Sequence, residues 1–92
     1  MRFMKSTYFS TMNDRKICRQ ALKLDQNGDW QGAHDLVDQL QNKDAAWVHA
    51  YLHRKEGDQW NADYWYRRAG KPSFNGSLEE EWQQLWEAFS ED

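Results

Sequence analysis

Residues 45–72, AAWVHAYLHRKEGDQWNADYWYRRAGKP, decide the fold. Trp47, Ala50 and Tyr51 fall on one side of a helix, and Ala62, Trp65, Tyr66 and Ala69 follow the i, i+3, i+4, i+7 spacing of an amphipathic one. Gly57-Asp58 separates the two runs. Glycine tolerates the left-handed conformation that closes a helix, and the aspartate carboxylate can cap the next one. The stretch therefore predicts two helices folded back on each other, one over roughly Ala45 to Glu56 and one from Asp58 to Gly70, with Pro72 preventing a restart.

The same signals extend outward in both directions. Toward the N-terminus, a helix is expected from near Ser10 or Thr11 to about Gln26, with Ile17, Ala21 and Leu24 on one face and Cys18 and Leu22 beside it. Asn27-Gly28 stops it, and Asp29 can cap a second helix whose stripe is Trp30, Ala33, Leu36, Val37 and Leu40. Asn42 or Asp44 is the expected cap of the third. Toward the C-terminus, the loop Lys71 to Gly76 precedes Ser77-Leu78-Glu79-Glu80, a capping box in which the serine oxygen and the glutamate satisfy each other's backbone amides. Leu78, Trp82, Leu85, Trp86 and Phe89 form the stripe of a fifth helix, expected to cover the second hairpin while Glu79, Glu80 and Glu81 face water. No segment alternates with a period of two, so no sheet is expected. The fold class is all-α: two helical hairpins and a C-terminal capping helix, in one domain over residues 11–92 after an irregular basic lead-in at 1–10.

Composition bounds the function. A 92-residue chain of this type buries about 60 to 65% of its unfolded surface, and its 39% hydrophobic content includes six tryptophans. A thin, aromatic-rich core is expected, because each buried ring hides on the order of 150 to 250 Å². The net charge of −3 argues against a nucleic-acid binder held by phosphate neutralisation. Residues 1–23 carry six Lys/Arg against one Asp, and residues 77–92 carry six Asp/Glu, a polarity read as solvated helix faces. Cys18 is the lone cysteine, which excludes an intramolecular disulfide and fits a buried thiol in a cytoplasmic protein. No apolar run has the length of a signal peptide or a membrane span, so no membrane partner is expected.

The hairpins repeat. Ala21, Gly28-Asp29 and Ala33 recur as Ala50, Gly57-Asp58 and Ala62, each 29 residues later. Small residues let paired helices approach, glycine makes the turn and aspartate caps the second helix of each pair. With Tyr66, Ala69 and Pro72 completing the second unit, the chain resembles the tetratricopeptide-like family of helical-hairpin repeats over roughly residues 15–72. The unit is shorter than that family's usual ~34 residues, only two units are present, and the first lacks the closing alanine and proline. The resemblance implies an interaction module. The segments WVHAYLHRKEGD and NADYWYRRAG are also similar to a group of small bacterial proteins, a likeness that implies kinship and no particular activity.

Two groups of residues can carry chemistry. His49 and His53, four apart, project from one helix face, a spacing that can hold a metal. The first histidine has no adjacent glutamate, and His34, Asp63 or Glu56 can supply a third ligand only through the fold, so no metal and no cofactor is assigned. Arg54, Arg67 and Arg68 interleave with Tyr64, Trp65 and Tyr66, a pattern suited to gripping a carboxylate or phosphate while stacking on a ligand. The expectation is a non-enzymatic module that binds a protein segment or a small anionic ligand through His49, His53, Arg54, Tyr64, Trp65, Arg67 and Arg68. Self-association through an exposed aromatic edge is a further mode, with Trp60 off the main stripe. The alternative class is a small metal-binding protein or enzyme using His49 and His53.

Overall fold

The computed structural model describes residues 12–90, and over them the chain is all-α. The five helices are α1 (Met12–Gln26), α2 (Trp30–Asp38), α3 (Lys43–Lys55), α4 (Gln59–Ala69) and α5 (Leu78–Ala88). The expected lead-in at 1–10 lies outside the described residues. None of the described helices is long and apolar enough to cross a membrane.

Two turns of nearly identical construction make the hairpins α1–α2 and α3–α4. At the first, Gly28 N–H donates to Asp25 O (2.9 Å) and Asp29 N–H to Leu24 O (2.8 Å). At the second, Gly57 N–H donates to Arg54 O (3.1 Å) and Asp58 N–H to His53 O (2.9 Å). This is the paired closure that lets a left-handed glycine satisfy the last carbonyls of a helix, and both glycines have φ of +90°. Asp29 and Asp58 then accept from Gly32 N and Asn61 N as N-caps, with matching backbone angles. Ala21, Ala33, Ala50 and Ala62 have no exposed surface, which is how the two helices of each hairpin come close.

The central element is α3. Every residue from Ala45 to Leu52 is buried, because α3 packs against α4, α2, α1 and α5 at once. A helix covered all round can carry apolar residues on every face. It starts two residues earlier than the sequence predicts, since Asn42 is the cap: its Oδ1 accepts from Ala45 N (2.8 Å) while its Nδ2 donates to Asp14 (3.0 Å). Cys18 is fully buried, as expected. Its thiol is pushed up to about 12, first by burial and then by the Asp44 and Asp14 carboxylates.

The capping box of α5 forms as predicted, but its placement differs in two respects. First, α5 lies along α1 as well as α3, so it touches both hairpins. Trp82 Nε1 donates to Leu22 O (3.0 Å), Arg19 Nη2 donates to Trp86 O (2.8 Å), and the Arg19 guanidinium lies 3.8 Å over the Trp86 ring. A half-buried indole N–H or guanidinium needs an acceptor, and the helix backbones supply both. Second, Glu81 does not face water: it is 0% exposed. It accepts from Trp47 Nε1 (3.0 Å), Arg54 Nε (3.1 Å) and the Tyr66 hydroxyl (2.6 Å), which together replace its hydration shell.

Candidate functional site

Helices α2, α3 and α4 meet around three histidines. His49 and His53 lie one turn apart on α3 with rings stacked at 6.1 Å and 11°. His34 comes in from α2, its ring edge-on to both, at 4.9 Å from His49 and 5.3 Å from His53. One ligand atom from each of the three lies within 4.8 Å of the other two. Indoles close the cluster on two sides. Trp65 of α4 stacks on His49 at 3.9 Å and 8°, and Trp30 stacks on His34 at 5.0 Å. Trp30 is pinned by its own N–H, which donates to Leu52 O (2.8 Å).

The polar surroundings are uneven. His53 Nδ1 is 2.9 Å from Glu56 Oε2, a carboxylate one turn on. His49 is 2% exposed, and its Nδ1 makes no hydrogen bond of ordinary geometry among the described residues. Its Nε2 lies 3.7 Å from Asp38 Oδ1, close enough for attraction and too long for a hydrogen bond. Burial and the neighbouring His34 lower the His49 pKa to about 4, with Asp38 and the Val37 carbonyl acting the other way. The His49 ring is therefore neutral at pH 7, a free base in an aromatic box.

A pocket of about 500 Å³ opens beside His49 and is lined by Lys43, Trp65, Arg68 and Asp38, among others. Arg68 reaches it from α4, its guanidinium 5.3 Å over the Trp65 ring and its Nη1 donating to the Tyr64 hydroxyl (3.0 Å). A larger depression of about 890 Å³ lies between Asp25, Lys55 and the first turn of α5. Its buried carboxylate is already engaged, with Asp25 accepting from both Lys55 (2.9 Å) and the Tyr51 hydroxyl (2.8 Å).

Of the seven residues expected to form one surface, His49, Trp65 and Arg68 share the pocket. His53 stands behind them in the histidine cluster. Tyr64 is exposed and touches Trp65 edge-on at 5.2 Å, and Arg67 is exposed on α4. Arg54 is elsewhere: it turns toward α5, pairs with Glu81 and lies 5.5 Å over Phe74. It is thus part of what holds α5 in place. Lys43 and Asp38 belong to the pocket although no sequence pattern marks them, and His34 proves to be the third histidine. Its one sequence signal is the pairing of Trp30 with His34 at the same four-residue step as His49 with His53. No known family, curated protein or solved structure matches the chain.

Proposed function

We propose that the chain is a tetratricopeptide-like, cytoplasmic binding module that takes a small anionic ligand in the pocket beside His49. The observation that carries this reading is the convergence of His49, Trp65, Arg68 and Lys43 on one cavity of about 500 Å³. Lys43 and Arg68 outweigh Asp38 there, so a carboxylate or phosphate meets net positive charge, and the Trp65 face gives a flat apolar wall. A small ligand is favoured over a protein segment for two reasons. The face formed by α1 and α3 is already taken by α5, and a cavity of this volume fits a small molecule better than a chain. A mildly acidic protein is no general ligand for nucleic acid.

Titration of ¹⁵N-labelled protein with inorganic phosphate and with acetate tests the reading. Saturable shifts at Lys43, His49, the Trp65 indole and Arg68 are expected for at least one of the two anions. Arg68→Ala should weaken that binding about tenfold, the loss of one charge-assisted contact. Absence of saturable shifts at these four residues with both anions would overturn it.

A further inference from the structure

We infer that His34, His49 and His53 form a binding site for one divalent transition-metal ion of the zinc, cobalt and nickel class, adjoining the anion pocket and sharing His49 with it. Four observations lead there. The first is spacing. Tetrahedral coordination at ~2.0 to 2.1 Å places ligand nitrogens about 3.3 Å apart, and here one ligand atom from each histidine lies within 4.8 Å of the others. The three nitrogens would draw together by about an ångström to reach that spacing.

The second is the bare nitrogen. A buried imidazole ordinarily hydrogen-bonds through its ring nitrogens, yet Nδ1 of His49, on a side chain 2% exposed, makes no hydrogen bond of ordinary geometry among the described residues. A buried polar atom left unsatisfied is costly, and a metal ion would give this nitrogen a partner. The third is the surrounding carboxylates. Metal-bound histidines characteristically donate their other ring nitrogen to a carboxylate. Glu56 stands 2.9 Å from His53 Nδ1, within hydrogen-bond reach, while Asp38 at 3.7 Å from His49 Nε2 acts only through its charge, so the two carboxylates offset the charge of a divalent ion.

The fourth is the wall. Trp30 and Trp65 stack on His34 and His49, which orients the two imidazole planes. Imidazole nitrogens in such a shell suit zinc, cobalt and nickel, whereas calcium and magnesium prefer oxygen ligands. Three protein nitrogens leave at least one coordination position open. The site spans α2 and α3, so the ion would also tie the first hairpin to the second.

The test uses the full chain without a histidine tag, stripped with chelator and dialysed. Calorimetric titration with Zn²⁺ should give one ion per chain, and Co²⁺ should produce the visible ligand-field absorption of a nitrogen-ligated ion. His34→Gln and His53→Gln, each checked for helicity, should lower Zn²⁺ affinity a hundredfold or more, and Glu56→Gln about tenfold, in the range known for second-sphere carboxylates. The proposal is overturned if the folded wild-type chain gives neither zinc heat nor cobalt absorption. It is equally overturned if His34→Gln, still folded, binds as tightly as wild type, because the ion would then be held by the α3 pair or elsewhere. Failure of phosphate and acetate to bind bears on the neighbouring pocket and leaves these readouts untouched.

Discussion

The Tyr66 hydroxyl donates a 2.6 Å hydrogen bond to Glu81 Oε2, joining α4 to a carboxyl group that sits with no exposed surface on α5. The same oxygen accepts from Trp47 of α3, and the other accepts from Arg54. One acidic side chain thus gathers partners from two helices of the second hairpin. Glu81→Ala strands three donors and the Arg54 charge, which should destabilise the chain by about 3 to 5 kcal/mol. Urea unfolding followed by far-UV circular dichroism measures it, and a loss below about 1 kcal/mol would show that the network is ornamental to stability. Glu80→Ala on the exposed side should lose only its part in the capping box, about 1 kcal/mol.

Gly57 closes α3 with φ of +90°, and a Cβ added there meets nothing within 4 Å. The effect of Gly57→Ala is therefore purely conformational, a destabilisation of about 1 to 2 kcal/mol. Gly57→Asn should recover part of it, because asparagine enters the left-handed region more readily. A melting temperature unchanged by the alanine substitution would contradict the turn geometry.

The Cys18 thiol gives the protein an alkaline weakness. Its pKa is ordinarily 9.0 and is pushed up to about 12 in the fold. Between those values the unfolded chain releases a proton that the folded chain keeps. Stability from this group is complete below pH 9 and declines as pH rises toward 12, by at most about 1.4 kcal/mol per pH unit. The hydroxyls of Tyr51 and Tyr66, raised by burial and by Asp25 and Glu81 respectively, steepen the decline at the upper end. Cys18→Ala should flatten the slope between pH 9 and 10, whatever it does to the absolute stability. In the native chain at pH 8 the thiol should also resist aromatic disulfide reagents until denaturant is added.

Trp60 and Trp65 lie five residues apart on α4 and behave as opposites. Trp60 is 77% exposed, whereas Trp65 is stacked on His49. Trp60→Gln should change stability by less than about 0.5 kcal/mol, as for other surface sites. Trp65→Ala should cost several times more and shift the imidazole NMR signals of His49. Equal effects from the two substitutions would mean that the stack does not persist in solution.

The helices were legible because their start and stop signals are local. Gly28-Asp29, Gly57-Asp58, Gly70 and Ser77 with Glu80 each act within a few residues, and all of them cap or close the helices as their chemistry dictates. The contacts between helices were less legible. Glu79, Glu80 and Glu81 read alike in sequence, and only the docking of α5 selects Glu81 for burial. Arg54 comes directly after His53, yet the helical twist sends it toward Glu81 while His53 meets His34. His34 could be offered as a third ligand only through the fold, since His49 and His53 lie on the next helix. Trp65 fits the apolar stripe and the site equally well, and it serves both by leaning on His49.

Arrays of helical hairpins can in principle come apart one unit at a time, since each unit touches only its neighbour. Here α5 fastens to α1 through Trp82 and Arg19 and to α3 and α4 through Glu81, so neither hairpin can open without releasing the other's clasp. The consequence is cooperativity: heat or denaturant should melt the two units in a single concerted step, and cutting the loop before α5 should turn one transition into two.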